Sequence, residues 1–402
     1  MPPWPMPFYF PPAPRLNTAR EIVMAFGTYG SVALAVLMAL NVGIAVWGID
    51  LVWPHLDKHI YLFVITPFIV NFAELGGSAF FAYYIVLVAA IASSFAWLIY
   101  KSLPALKDEL QVRQPQGGHS PLYITATMLF AVLTFNIAYY FIIQAFGVST
   151  TTPSFETREL WQLIYGFAHA SVWEEVASRV LLIGVPLLLI DLLLRMKDPG
   201  RGMRRLSNYV LGGGFAIGRK EAFLMVFSSL MFGAAHMFSW DLFKILPAAA
   251  AGLAFAYLYL KLGLYASIMF HFATDFLTVP LQVWPDYLLV TAAVGLMLLV
   301  WLAIGAPYML LYFSKGAGWL LGRRIWPDVP REGPGPSHVP SPLYAVPAAM
   351  YYPAPNVPPA FYAGGPAVRF EDPQGYVCKN CGNREAAYTE GRLVCTRCGA
   401  RR

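Results

Sequence analysis

The stretch that decides the fold is HASVWEEVASRVLLIGVPLLLIDLLL, which occupies residues 169–194. It is long and apolar enough to cross a membrane, yet Glu174, Glu175 and Arg179 lie inside it. An ionisable side chain in the hydrocarbon region costs roughly 2.5 to 3.5 kcal/mol on insertion scales. A span that keeps three of them is therefore predicted to use them.

The rest of the chain has the composition of a polytopic membrane protein. Of its 402 residues, 58% are hydrophobic and 12% are charged, whereas about a quarter of the residues in a soluble domain are charged. We therefore expect an all-α polytopic membrane bundle of about eight transmembrane helices, integral to the cell membrane, with the lipid bilayer as its first partner. The predicted spans are 22–48, 77–100, 122–146, 169–194, 221–239, 242–260, 263–281 and 286–313. The segment 60–72 is apolar but short and contains Pro67, so it is predicted to be an interfacial or re-entrant piece.

The distribution of basic residues predicts the orientation of the bundle. If the N-terminus is cytoplasmic, sixteen Lys and Arg residues fall in internal segments and three in external ones. The positive-inside rule then places both termini in the cytoplasm. The net charge of +6 expresses this topology and contact with anionic headgroups. We do not interpret it as a signal for nucleic-acid binding.

Changes in composition predict four segments. A Pro-rich arm (1–21) precedes the bundle (22–326), and a Pro-rich linker (327–374) leads to a C-terminal module (375–402). That module contains the four cysteines of the chain, Cys378, Cys381, Cys395 and Cys398. Paired CxxC knuckles at this spacing, each followed by Gly, are typical of a small β zinc ribbon, in which four thiolates hold a structural zinc ion. Two disulfides are the alternative, but the predicted cytoplasmic location is reducing. Such a ribbon could recruit a protein partner.

Within the opening stretch, Glu175 and Arg179 stand four apart and share one helical face, so they can form an ion pair. Glu174 points about 100° away from Glu175 and is left for chemistry, and a carboxylate in a poorly hydrated cavity suits a general base. The alternative is an ion pair that only locks two helices together. That interpretation leaves Glu174 unexplained.

Two further polar islands lie on later spans. His236 follows small residues that let a neighbouring helix approach, so it is predicted to face protein rather than lipid. His271 and Asp275 stand four apart, and a carboxylate beside an imidazole can orient the ring. Taken alone, each histidine is typical of a hydrogen bond between helices. Together with the glutamates, these side chains could bind a catalytic divalent metal or activate a water molecule.

The order EExxxR, FxxxH and HxxxD resembles the three motifs of the CPBP family of intramembrane proteases, which includes the CAAX prenyl endoproteases and the bacteriocin-processing and immunity proteins. The resemblance covers residues 120–315. It implies a helical membrane bundle that hydrolyses a peptide bond in a membrane-associated, possibly prenylated, protein or peptide.

Carried over by position, the resemblance implies that Glu174 activates a water molecule, while Glu175 and Arg179 hold the helix and the cavity. His236 and His271 would hold a metal or stabilise the developing oxyanion. Asp275 stands where the prenyl-protein proteases commonly have Asn. An ionised carboxylate cannot donate a hydrogen bond, so Asp275 is predicted to be a metal ligand or to orient His271.

Estimated depths in the membrane conflict with a single site. At ~1.5 Å per residue, His236 lies about 22 Å and His271 about 12 Å from the inner ends of their spans, while Glu174 lies near the outer end of its own. The three disagree unless the helices are tilted, staggered or longer than drawn. They also count against a CAAX substrate that enters from the cytoplasm.

Two other functions fit parts of the sequence. A catalytically silent membrane scaffold or immunity-type binding protein would keep the fold and act through the ribbon. A transporter would use the carboxylates as proton carriers, but no internal repeat or pair of broken helices supports it.

Overall fold

The computed structural model describes residues 18–65, 68–111, 118–150, 158–200 and 202–322, together with three short strands near the C-terminus. The chain divides into two compact units, Met1–Pro327 and Asp328–Arg402. The first unit is helical, apart from one hairpin. The helices are α1 (Thr18–Val52), α2 (Gly77–Leu110), α3 (Pro121–Ala145), α4 (Leu160–His169), α5 (Val185–Lys197), α6 (Leu206–Leu211), α7 (Arg219–Ala235), α8 (Met237–Trp240), α9 (Ile245–Lys261), α10 (Leu264–Asp275), α11 (Val279–Val283) and α12 (Leu288–Leu320).

Seven helices in the described part of the chain are long and apolar enough to cross a membrane. They are Glu21–His55, Gly77–Leu110, Pro121–Ala145, Leu160–Lys197, Leu242–Lys261, Leu264–Val283 and Leu288–Leu320. The fourth is continuous because two π-helical segments, Ala170–Glu174 and Val176–Gly184, join α4 to α5. The expected helical membrane bundle is therefore present.

The predicted span 221–239 differs from the others. It forms α7, which has 17 residues, and is not among the seven. Helix α7 ends because the chain turns through the short helix α8 to Asp241, whose φ of 78° lies in the left-handed region. The expected eight spans are thus corrected to seven candidate spans and one shorter helix.

The apolar segment 60–72 belongs to a β-hairpin. Strands β1 (His59–Ile65) and β2 (Ile69–Gly76) pair in an antiparallel register from His59 with Gly76 to Ile65 with Ile69. The hairpin connects the C-terminal end of α1 to the N-terminal end of α2. The sequence was right that this segment is no ninth spanning helix, but the strand pairing was not expected.

Small residues allow the central helices to approach closely. A Cβ on Gly305 of α12 would collide with the backbone oxygen of Phe130 in α3. A Cβ on Gly233 of α7 would lie 2.6 Å from the carbonyl oxygen of Ile245 in α9. Helix–helix contact in membranes depends on such close packing. The small residues before His236 therefore bring α7 against α9, as predicted.

The second unit contains three short strands, β3 (Arg369–Phe370), β4 (Ala386–Thr389) and β5 (Arg392–Cys395). They pair antiparallel in the order β3-β4-β5. Strand β3 lies within the predicted linker, and β4 and β5 lie within the predicted ribbon. The rest of both segments, including Cys378, Cys381 and Cys398, and most of the N-terminal arm lie outside the described residues. The zinc site therefore stays a prediction.

Candidate active site

The π-helical segments carry the first polar island. Glu174 is the last residue of the first segment, and Arg179 lies in the second. A π-helix closes i→i+5 hydrogen bonds and so turns less per residue than an α-helix, and single π-turns occur frequently at functional sites. Both carboxylates point toward one imidazole, that of His271.

Glu175 and Arg179 form a fully buried ion pair. Arg179 Nε donates to Glu175 Oε2 at 3.1 Å, and neither side chain is exposed to solvent. Arg179 Nη1 donates to Ser228 Oγ at 2.6 Å, and Ser228 donates in turn to the carbonyl oxygen of Ser178 at 2.7 Å. Because buried charges are tolerated only when paired and hydrogen-bonded, these contacts explain why Arg179 can remain inside the bundle.

Glu175 also ties the pair to α10. Its Oε2 accepts a hydrogen bond from Ser267 Oγ, and its Oε1 lies 2.9 Å from His271 Nδ1. Both partners are buried and lie one helical turn apart on the same face of α10. Neither Ser228 nor Ser267 was predicted from the sequence to be a site residue. The spacing of Ser267 four residues before His271 was the signal available for it.

His271 stands at the centre of the site. Its Nδ1 faces Glu175, while its Nε2 lies 3.4 Å from Asp275 Oδ2 and 3.9 Å from Glu174 Oε2. The imidazole is 6% exposed, whereas Glu174 and Asp275 are 19% and 22% exposed. The two partly open carboxylates therefore form the accessible edge of an otherwise buried cluster.

Aromatic rings wall the cluster and connect it to His236. The His271 ring stacks on Phe255 at 4.8 Å and meets the edge of Phe232 at 6.0 Å. The centroid of the His236 ring lies 4.7 Å from the centroid of the same Phe232 ring. The guanidinium of Arg179 lies over Phe232 at 5.1 Å and over Phe255 at 5.4 Å. Both imidazoles therefore contact the same ring, that of Phe232.

The tautomer of His236 follows from its own hydrogen bond. His236 Nδ1 lies 2.8 Å from the carbonyl oxygen of Phe232. A carbonyl oxygen only accepts, so Nδ1 carries the proton and Nε2 of the neutral ring is an acceptor. In this tautomer Nε2 can accept a hydrogen bond from a water molecule but cannot donate one to an oxyanion.

The conflict between the estimated depths disappears in the structure. Helix α10 has only 12 residues and ends at Asp275, while His236 caps the C-terminal end of α7. Both imidazoles therefore lie at the C-terminal ends of staggered helices, against the same phenylalanine. The structure brings Glu174, Glu175, Arg179, His271 and Asp275 into direct contact and places His236 beside them.

The β-hairpin and α2 contact the turn that precedes Glu174 in the spanning helix Leu160–Lys197. Trp173 Nε1 donates to the carbonyl oxygen of Phe63 in β1 at 2.9 Å. His169, which is 8% exposed, lies 3.1 Å from Tyr83 Oη through its Nδ1. Neither contact was visible in the sequence, because each joins segments far apart in the chain.

The predicted catalytic metal finds no matching set of ligands. Among the side chains that the structure describes, no three His, Cys, Asp or Glu residues are arranged to hold a metal ion. His236 is oriented by a backbone carbonyl, and His271 Nδ1 is bound to Glu175. We therefore derive no chemical step through a metal.

Comparisons with known proteins agree with the geometry over the centre of the chain. Residues 155–277 match the family model of the Rce1-like type II CAAX prenyl endopeptidases, and all six predicted site residues fall within that range. Comparisons with curated proteins and with solved structures gave no match. Seven apolar helices and this match together indicate an integral membrane protein whose central helices are similar to a family of membrane proteases.

Proposed function

We propose that this protein is an intramembrane endopeptidase that hydrolyses a peptide bond in a membrane-associated protein or peptide of the CAAX type. The observation that carries the proposal is the contrast between the two adjacent glutamates. Glu175 is fully buried and paired with Arg179, whereas Glu174 is partly open and faces His271 across 3.9 Å. The resemblance of residues 155–277 to a prenyl-endopeptidase family supplies the substrate class.

Glu174 is the general base in this proposal. A separation of 3.9 Å is too long for a direct hydrogen bond but allows a water molecule to bridge the two groups. Glu174 takes a proton from that water while His236 Nε2 accepts its other hydrogen. The water oxygen then bonds to the carbonyl carbon, and Glu174 returns the proton to the leaving amine as the C–N bond breaks.

His271 stabilises the oxyanion in this scheme. Both of its ring nitrogens face carboxylates, so both N–H bonds of an imidazolium would have acceptors. An imidazolium fixed in a water-poor site then stabilises, through its positive charge rather than through a hydrogen bond, the negative charge that develops on the carbonyl oxygen. Asp275 orients the ring by accepting from Nε2. An ionised carboxylate has no proton to donate to the oxyanion, so this positioning role is the one that remains for it.

The test uses purified full-length protein in liposomes with fluorogenic CAAX peptides, prenylated and unprenylated. Glu174→Gln should lower kcat at least 100-fold, since general-base catalysis contributes about 10²–10⁴-fold. Glu21→Gln is the matched control, because it makes the same change in the first turn of α1 and should leave activity unchanged. Equal activity of Glu174→Gln and the wild type would refute the mechanism.

The C-terminal module has a separate role in the proposal. A zinc ribbon formed by Cys378, Cys381, Cys395 and Cys398 would recruit a substrate or a partner protein to the membrane. Metal analysis of the purified full chain should find one zinc per molecule, and Cys378→Ser should lose it while peptide cleavage by the bundle persists. Retention of zinc by the variant would contradict the ribbon.

A further inference from the structure

A cavity of about 370 Å³ lies outside the catalytic cluster. It opens where the β-hairpin, the first turn of α2 and the start of α4 meet, and it shares no residue with the catalytic cluster. This volume falls in the range of small-molecule sites. The cavity does not depend on the proposed protease function.

The mouth of the cavity is cationic. Lys58 and Arg158 line it together with the amide of Gln162 and the imidazole of His59, and none of its described lining residues is itself a carboxylate. His59 Nδ1 lies 3.0 Å from Glu74 Oε1, so the basic character of the mouth comes from Lys58 and Arg158. Lys58 is 48% exposed and lies 2.9 Å from Asp57, which is 69% exposed and outside the lining. Exposed ion pairs of this kind are weak. An anion entering the cavity can therefore compete with Asp57 for Lys58.

The inner wall is aromatic and rigid. The rings of Phe80 and Tyr165 stack at 4.3 Å, and Tyr165 Oη donates to the carbonyl oxygen of Phe80 at 3.0 Å. Trp161 meets the edge of Phe80 at 6.4 Å and stacks on His55 at 4.2 Å. A ligand for this cavity consequently has an anionic head and an apolar part.

The position of the cavity identifies the kind of anion. It lies where the candidate span of α1 ends and those of α2 and α4 begin, and the ends of membrane-spanning helices lie at a membrane–water interface. Large aromatic side chains around it are exposed, namely Trp53 (58%), Tyr61 (48%) and Phe72 (58%). Exposed Trp and Tyr at either membrane interface form the aromatic belt of membrane proteins. Lys and Arg beside such a belt can pair with the phosphate of an anionic headgroup, here in the leaflet that the predicted orientation makes the outer one.

We propose that this cavity binds the phosphate headgroup of an anionic phospholipid. Lys58 and Arg158 contact the phosphate, Gln162 donates to the glycerol side of the headgroup, and the rings of Phe80 and Trp161 contact its first methylene groups. The group that the cavity recognises is a phosphate ester. Inorganic phosphate carries the negative charge without the ester, and a zwitterionic lipid carries the ester without a net negative charge.

The experiment titrates detergent-purified full-length protein with short-chain phosphatidylglycerol, short-chain phosphatidylcholine or inorganic phosphate, and measures binding by thermal stabilisation. Lys58→Gln/Arg158→Gln should bind phosphatidylglycerol roughly 30-fold more weakly, because each basic residue near the surface contributes about one kcal/mol. The matched control Lys101→Gln/Lys107→Gln removes the same charge from α2, away from the cavity, and should bind like the wild type.

Each other outcome overturns the proposal. If the cavity variant and the α2 variant bound phosphatidylglycerol with the same reduced affinity, the loss of binding would come from the change in net charge and not from the cavity. Equal binding of phosphatidylcholine, or equal binding of inorganic phosphate, would exclude an anionic lipid as the ligand. If the glutamine variant does not fold, Lys58→Arg/Arg158→Lys must retain the preference for phosphatidylglycerol, and its loss would refute the site.

Discussion

The buried ion pair between Glu175 and Arg179 should contribute to the free energy of unfolding by an amount that its contacts allow us to estimate. Replacing Arg179 with Met keeps an unbranched side chain of similar length but removes the charge. It deletes the 3.1 Å hydrogen bond to Glu175, the 2.6 Å hydrogen bond to Ser228 and the contacts with two phenylalanine rings. Glu175 then remains fully buried without its guanidinium partner.

The expected cost is large because only one partner is removed. Breaking a buried ion pair in this way costs about 3–5 kcal/mol, most of which is the penalty of the unpaired charge. The matched comparison is Lys220→Met. Lys220 pairs with Asp191 but is 32% exposed, and such pairs contribute about 0–1 kcal/mol. Arg179→Met should therefore cost at least 2 kcal/mol more than Lys220→Met.

The free energy of unfolding can be measured by titrating the protein with SDS in dodecylmaltoside micelles and following tryptophan fluorescence. Ser228→Ala should fall between the two variants, since a hydrogen bond to a charged group contributes about 1.5–3 kcal/mol. If Arg179→Met costs less than about 1 kcal/mol, the pair does not hold the bundle and our account of the site is wrong.

Three further changes test the surroundings of the site. Ser267→Ala removes a donor to Glu175 and should lower kcat while KM is unchanged, as measured with the CAAX peptide; an effect on KM alone would contradict a positioning role. Trp173→Phe removes the hydrogen bond to Phe63 and should speed hydrogen exchange of the β1 amides by several-fold, corresponding to about 1 kcal/mol. Gly305→Leu places a side chain where none fits and should abolish a monodisperse protein in size-exclusion chromatography, whereas Gly295→Leu on the same helix should not.

Spacing within a helix was sufficient to predict part of the site. Glu175 with Arg179 and His271 with Asp275 are pairs four residues apart, and both are paired in the structure. Such contacts are local, because residues i and i+4 share a helical face in any bundle. The membrane bundle was predictable for a similar reason, since the length of an apolar segment sets whether it can span.

Contacts between distant segments were not predictable from the sequence. The hydrogen bond of Ser267 to Glu175 and the salt bridge of His271 to Glu175 depend on how α10 docks against the π-helical segments. The hairpin was missed because its strands look like any short apolar run until the partner strand is known. The shortness of α7 was missed because its boundary is set by a turn with left-handed backbone at Asp241.

The ends of α7 and α10 position two of the polar residues of the site, His236 and Asp275. Helix α10 has 12 residues and is about 18 Å long, and a 3₁₀ turn, Phe276–Thr278, joins it to α11 inside the candidate span Leu264–Val283. Non-helical backbone at that depth is tolerated only where it is buried in protein or lines a watery cavity. Here Asn41 of α1 donates to the carbonyl oxygen of Phe276 at 3.0 Å, so one freed carbonyl has a protein partner. On the other helix the carbonyl of Phe232 accepts from His236. The helix ends that would be costly in lipid therefore orient the imidazole of His236 and place Asp275 at the partly exposed edge of His271, where the proposed mechanism needs a water molecule.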